Sequence, residues 1–460
     1  MSIQSTQLIE LAPELLELIL SFLGPRDVVS FGRTCQRANP FIQPRNQLLW
    51  RSAFLHLFDD PNHAWTLLMP AARAKNRRRE STWDWFVELS RRLKASKAVC
   101  QPSNADLVTN PELAITTFLD IVETASYSFV DDSEVHTMSL NVDFLERLFA
   151  TAPNPEKIVH DYHYRHSETM SLPLHLLTEP NRPITRSMMG RRVAIPDWAS
   201  RFHIFYGITS REEDSIRAKA AARAIVYDWA VSGPSAEHGP LVQDNSGTVN
   251  WQTLEAISSL MHRIFEIARS PHIKTPSGFR NNIARPMDVL DPDDWAGVSR
   301  TWLGTYAFLD YRALAQYNFA NQLEYPLDLG AYEESCGDLM RLELDIDNSD
   351  ELQQDPRLQI RLPYCQDLPI LHFSGTSSRS PPGRPLILVR GCVCLVPGGR
   401  EVRWRFIINY AGEDQWQLEG VQPGGIRAGG IYGLWSHVDH DENGPSGPFY
   451  YAPIDLCKDP

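Results

Sequence analysis

Basic residues are in deficit in this 460-residue chain: 44 Lys and Arg stand against 57 Asp and Glu, a formal net charge of −13. That balance opposes general attraction to DNA, RNA or anionic lipid, which rests on neutralising phosphate charge. Cysteine is sparse. The seven, at 35, 100, 336, 365, 392, 394 and 457, are odd in number and never spaced CxxC, so neither a disulfide framework nor a zinc site is expected. No Asn-x-Ser/Thr glycosylation acceptor occurs. Long apolar runs are missing too. Leu8 to Leu23 is interrupted by Glu10, Pro13, Glu14 and Glu17 and lacks a basic leader, and no later run is long enough to span a bilayer. The expectation is a soluble protein of a reducing compartment, cytoplasmic, nuclear or both, with no nucleic-acid or membrane partner.

What is present supports folded cores: 43% of residues are apolar and 10% aromatic, and the length suits two or three domains. After Pro13, a favourable first-turn residue, Leu15, Leu16, Ile19, Leu20 and Leu23 line one side of a helix, widened by Phe22. Gly24 and Pro25 stop it. Asp27 to Thr34 reads as a second short helix, and Gln47 to Phe58, with Leu48, Leu49, Trp50, Phe54, Leu55 and Leu57, as a third. A unit this small cannot enclose so many large side chains, so part of the stripe needs a partner, either the rest of the chain or another protein.

The segments Leu11-Ala12-Pro13-Glu14-Leu15-Leu16, Ile19-Leu20-Ser21-Phe22-Leu23, Asp27-Val28-Val29, Cys35 and Leu49-Trp50-Arg51 resemble the F-box in order and spacing. Two positions depart from its pattern: Ala12 stands where proline is usual, and Ala38 where an aromatic is. The resemblance implies a three-helix F-box that docks on Skp1, which links a receptor to a cullin and so to a ubiquitin-charged conjugating enzyme. It implies that Leu11, Pro13, Leu15, Leu16, Ile19, Leu20, Phe22 and Leu23 face Skp1, by apolar burial alone, with Phe22 the natural hot spot.

From about 60 to 290 the patterning is mainly helical, with candidates at Thr82 to Lys94, Pro111 to Ser126, Val142 to Ala150, Arg211 to Val231 and Trp251 to Ser270. Ser210 followed by Glu213 reads as a capping box. Lys75, Arg77, Arg78 and Arg79 form a basic cluster that reads first as a solvated helix face, secondly as a nuclear-localisation signal. His160, His163 and His166 invite a metal, yet no cysteine is near and tyrosines and Arg165 are interleaved, so loop packing is the better reading.

Near Trp295 the composition turns to Trp, Tyr, Gly and short alternating runs. Leu386 to Val396 and Glu401 to Ala411 flank the turn Pro397-Gly398-Gly399-Arg400. On the second strand Val402, Trp404, Phe406, Ile408 and Tyr410 point one way and Arg403, Arg405 and Asn409 the other, a sheet with one buried face. Further strands are expected at Gln415 to Gln422 and Gly430 to His437, and a mobile loop at Ser374 to Pro385. Trp295-Ala296-Gly297-Val298, Trp302, Phe308 to Arg312, Glu419 to Gln422, Gly433-x-Trp435 and Gly444 to Phe449 resemble fungal F-box proteins, and the arrangement is similar to a vertebrate F-box-only receptor that holds cyclin tails. That implies a peptide-binding β domain. Trp416 and Trp435, with Arg403 and Arg405 for a carboxylate, are its candidate substrate-binding residues.

Enzyme-like patterns fail in specific ways. Gly425 and Gly430 would need Lys and Ser/Thr next for a phosphate loop, whereas Ile431 and Tyr432 follow. Asp439-x-Asp441-x-Asn443-Gly444 opens like a calcium loop, but Tyr450 holds the position of its bidentate Glu. Cys392 and Cys394 share one strand face and read as core thiols.

The sequence thus predicts an α+β multidomain chain: an F-box domain at 1–58, a mainly helical middle at 59–290, and an antiparallel β barrel or sandwich at 291–460. The expected function is that of a non-catalytic substrate receptor of a Skp1–cullin–F-box (SCF) ubiquitin ligase, with no cofactor or metal. Its partners would be Skp1, cullin through Skp1, and a protein substrate. Two alternatives remain open: an F-box adaptor acting with Skp1 outside a ligase, and a hydrolase or metal-dependent domain with an incidental helical N-terminus.

Overall fold

Proline opens several helices of the N-terminal part, where its missing N–H costs no hydrogen bond. The helices are α1 (Pro13–Ser21), α2 (Pro25–Gly32), α3 (Gln47–Leu55), α4 (Pro61–Leu67), α5 (Trp85–Cys100), α6 (Pro111–Glu123) and α7 (Leu140–Thr151). The computed structural model describes residues 8–67, 83–101, 111–126, 128–129, 136–137, 139–153, 155–156, 158–159, 195–232, 239–285, 293–319, 328–330, 332–377, 387–441 and 443–458. The basic cluster at Lys75 to Arg79 and the histidines at 160, 163 and 166 lie outside the described residues. The chain forms two compact units, Met1–Thr66 with Ala72–Pro155, and Leu67–Ala71 with Glu156–Pro460. Helices of the expected 59–290 region are therefore shared between the units.

In the first unit α1 packs on α3, α3 on α5, and α5 on α6 and α7. Phe54 and Phe58 form its centre, with the Arg92 guanidinium 4.6 Å from each ring centroid and bonded to Thr124 Oγ1 at 2.9 Å. A buried cation needs such partners. Burial still lowers its pKa to about 10. Asp59 ties the elements together by accepting from the Ser139 hydroxyl and from the backbone N–H groups of Ser126, Leu140 and Asn141, so it caps α7 from far away in sequence. β1 (Ser128–Phe129) and β2 (His136–Thr137) pair as a short antiparallel ribbon.

The second unit opens with α8 (Asp197–Tyr206), α9 (Ser210–Glu213), α10 (Ile216–Val226), α11 (Trp229–Ser232) and α12 (Trp251–Ala268). The single helix expected over Arg211 to Val231 is three. Its capping box is also one residue earlier than expected, on Thr209 and Glu212, and Ser215 starts a fresh helix by accepting from Ala218 N–H. One flank of α12 packs on α8 and α10, the other on the sheet, where His262 Nε2 meets the Tyr432 hydroxyl at 3.0 Å. Burial pushes His262 down to about 4.

The sheet is a closed antiparallel barrel of eight strands: β3 (Thr301–Phe308), β5 (Met340–Ile346), β6 (Leu371–Ser377), β7 (Ile387–Leu395), β8 (Val402–Tyr410), β9 (Glu413–Gln422), β10 (Ile431–His437) and β11 (Ser446–Pro453), which pairs back onto β3. Closure removes free sheet edges. The two-residue β4 (Ser335–Cys336) pairs antiparallel with the end of β3, and two short helices, α13 (Tyr311–Asn318) and α14 (Asp350–Gln354), lie in the connections. Across the expected turn Leu395 pairs with Val402, with Gly399 at φ +66. Ser374 to Ser377, expected in a mobile loop, are the paired end of β6; 378–385 lie outside the described residues.

Val402, Trp404, Phe406 and Ile408 fill the interior with Trp302, Phe373, Phe449 and Tyr451, as alternation required. Phe373 takes the space beside Gly391, where a Cβ would stand 2.3 Å from its ring. The outer face of β8 is not exposed, however. Leu352, Leu358, Cys392, Ile407 and Val438 make a second small core there, because the chain between β5 and β6 folds back over the sheet. The sheet is covered on both faces at this point, and Cys392 is a thiol of this outer core.

Candidate functional site

Two features of the structure bear on binding, one in each unit. The first is α1. Leu16 and Leu20, both 1% exposed, point into the unit's own core. Leu15, Leu18, Ile19 and Phe22 follow the i, i+3, i+4, i+7 spacing of the neighbouring face and are 52%, 56%, 38% and 71% exposed. Both faces of one nine-residue helix are thus apolar, and only one is covered. Of the remaining residues expected to face a partner, Pro13 is exposed and Leu11 and Leu23 are half-buried. Leu18 was not singled out from sequence, although its spacing from Leu15 and Phe22 places it between them.

The second feature is a cavity of about 100 Å³ at the barrel end formed by the close of β3, β6, β8 and β10. Trp416 and Trp435 meet there edge to face at 5.2 Å, with Tyr306, Met340, Ile387 and Ser377 around them. Trp435 is held by its indole N–H, which donates to Ala307 O at 3.0 Å. Ser377 is buried and its hydroxyl has no hydrogen-bond partner. Tyr410, on the same wall, is raised above the ordinary tyrosine pKa by burial and then by Tyr306. A largely apolar cup whose wall includes the buried, unpaired Ser377 hydroxyl suits an apolar side chain carrying a polar atom.

Arg403 and Arg405 are not at this cavity. Both project from the outer face of β8 and clasp Glu419: Arg403 Nη2 lies 3.0 Å from one carboxylate oxygen, and Arg405 Nε bonds the other. Gln417 donates to the same carboxylate at 3.1 Å, and Arg405 Nη1 also donates to the backbone oxygens of Arg357 and Gln359. Burial opposes the charge on Arg405, and Glu419 more than offsets it, leaving its pKa above the ordinary value. The alternation that set these arginines opposite Trp404 and Phe406 also carried them away from the interior. A ligand carboxylate would have to displace Glu419 to use them.

Among the described residues no group of three or more His, Cys, Asp or Glu is arranged to hold a metal ion, and Asp439 of the calcium-like segment pairs with Arg357 at 3.2 Å. No described helix is long and apolar enough to cross a membrane. No family model matches the chain, and no curated protein or solved structure does either.

Proposed function

We propose that the chain is a non-catalytic substrate receptor of a Skp1–cullin–F-box ubiquitin ligase. The observation that carries this reading is the uncovered face Leu15, Leu18, Ile19 and Phe22, on a helix whose opposite face is already committed to the core. An aromatic flanked by aliphatics is the composition of an interface centre. The F-box resemblance of the same segment makes Skp1 its partner. The barrel cavity between Trp416 and Trp435 then receives an apolar side chain of the protein substrate. Such a receptor acts by holding a substrate lysine close to the charged conjugating enzyme, which raises its effective concentration without a nucleophile or base of its own.

The test is co-purification of the full chain with Skp1 and cullin, for wild type and for Leu15→Asp plus Phe22→Asp. Both partners should be retained by wild type and lost from the variant. Skp1 without cullin would favour an adaptor outside a ligase, and failure to retain Skp1 at micromolar concentrations would overturn the reading.

A further inference from the structure

At the barrel end opposite the cavity, three arginines from separate segments converge. Arg285 precedes the sheet, Arg300 stands immediately before β3, and Arg427 lies in the β9–β10 connection. Backbone bonds hold the segments together. Arg285 N–H donates to Ile426 O at 3.1 Å, beside Arg427, and the Arg427 guanidinium donates through Nη1 to Asp294 O at 2.7 Å.

Among the described residues two carboxylates are near, and each has other work. Asp455 pairs with Arg285 at 2.8 Å. Asp294 accepts the backbone N–H groups of Val298 and Ser299 at 2.7 and 2.8 Å, closing the turn before β3. Gly297 lies in that turn at φ +74, and a Cβ there would come within 3.1 Å of the Arg300 guanidinium carbon. A glycine therefore lets the backbone pass directly beneath the Arg300 head group.

Two guanidiniums are left under-satisfied. Arg300 is half-buried, and its guanidinium makes no hydrogen bond or ion pair among the described residues. Arg427 is 8% exposed, and its Nε is buried without a partner. Desolvation, then repulsion from Arg427 and Arg285, works against the Arg300 charge. A partly buried guanidinium with unpaired N–H groups is stable only at a cost, which an anion removes.

We propose that Arg300 and Arg427, with Arg285 beside them, form a binding site for a phosphate group. Among the described residues neither the Arg300 guanidinium nor Arg427 Nε has a partner, and phosphate brings between one and two negative charges near neutral pH. Its oxygens accept paired N–H donors from planar guanidiniums, which is the geometry that arginine offers and lysine does not. The half-buried Arg300 leaves a way in, while Arg427 forms the floor. The phosphate is either a free ion or a phosphomonoester on a protein side chain; the recognition chemistry is the same.

The test uses the full chain titrated calorimetrically with inorganic phosphate at constant ionic strength, against chloride as control. Wild type should bind saturably at one site. Arg300→Gln, which removes a group that makes no hydrogen bond and so should leave the fold intact, should weaken phosphate at least about tenfold. Arg300→Lys, keeping charge without the fork, should fall between the two. A phosphoserine peptide that binds more tightly than inorganic phosphate assigns the source to protein, and equal affinity assigns it to the free ion. Heat no larger than with chloride, or unchanged phosphate affinity in Arg300→Gln with a native circular dichroism spectrum, would overturn the proposal. No arm depends on Skp1.

Discussion

His203 Nε2 lies 2.8 Å from a carboxylate oxygen of Glu212, while its Nδ1 lies 2.5 Å from Glu255, so one imidazole on α8 joins the first turn of α9 to α12. All three side chains are buried, and Arg263 reaches the Glu212 backbone oxygen at 2.8 Å. Burial pushes Glu212 up to about 7. Its folded pKa is therefore above the unfolded value, and the native state holds a proton that the unfolded chain has released. The associated stability is fully present below about pH 4.5, the unfolded carboxylate range, and is lost as pH rises through about 7. We expect Glu212→Gln, which keeps a neutral side chain at all pH values, to remove a loss on the order of 2–3 kcal/mol between pH 5 and 8. Urea unfolding of both proteins at the two pH values checks this; equal slopes would show that Glu212 does not titrate in that window.

The two faces of α1 should separate binding from stability. Leu16→Ala or Leu20→Ala removes a fully buried leucine and should cost about 2–5 kcal/mol. Leu15→Asp and Phe22→Asp change exposed positions and should shift stability by no more than about 0.5 kcal/mol while abolishing capture of Skp1. Denaturant midpoints read beside pull-down yield distinguish the two. If the Asp variants unfold, the face is covered within the chain after all.

How much of this was legible beforehand depended on whether a signal was local. The helix stripe from Leu15 to Leu23 and the alternation from Val402 to Tyr410 are local patterns, and α1, β7 and β8 lie where those patterns put them. Division of one apolar stripe into a core face and an open face was not legible, because it depends on where α3 lies against α1. Nor was the fate of Arg403 and Arg405. Alternation gave their side of the sheet, but their occupant, Glu419, is on the next strand, and their cover comes from the segment around Gln359. The strands β6 and β11 were missed because glycine, serine and proline within them read as loop, although barrel closure gives them partners on both sides; β3 and β5 were missed too, although β5 alternates Leu342, Leu344 and Ile346 with charged residues, a local strand signal.

Glu419 is the keystone of the outer-face charges, which leads to a prediction opposite to one for a ligand site. Glu419→Gln leaves two buried guanidiniums without a counter-charge and should destabilise the second unit by about 3–5 kcal/mol. Replacing Arg403, Arg405 and Glu419 together with Met, Leu and Leu should restore most of that loss, since a packed apolar patch avoids desolvating ions. Thermal unfolding measures both. A Glu419→Gln protein as stable as wild type would mean that these arginines find other anions.

Ser377 offers the sharpest separation at the cavity. Its hydroxyl is buried with no partner, a state that costs about 1–3 kcal/mol relative to a bonded one. Ser377→Ala removes that hydroxyl and keeps the backbone of β6, so stability should stay level or rise by about 1 kcal/mol. If the cavity receives a substrate side chain whose polar atom pairs with this hydroxyl, the same substitution should weaken retention of proteins that accumulate when α1 is mutated, by roughly tenfold. Filling the space by Ser377→Leu should abolish that retention and leave Skp1 capture unchanged, because α1 is in the other unit. Comparing the proteins recovered with wild type and with the two variants reads both effects. Undiminished recovery with Ser377→Leu would remove the cavity from substrate binding.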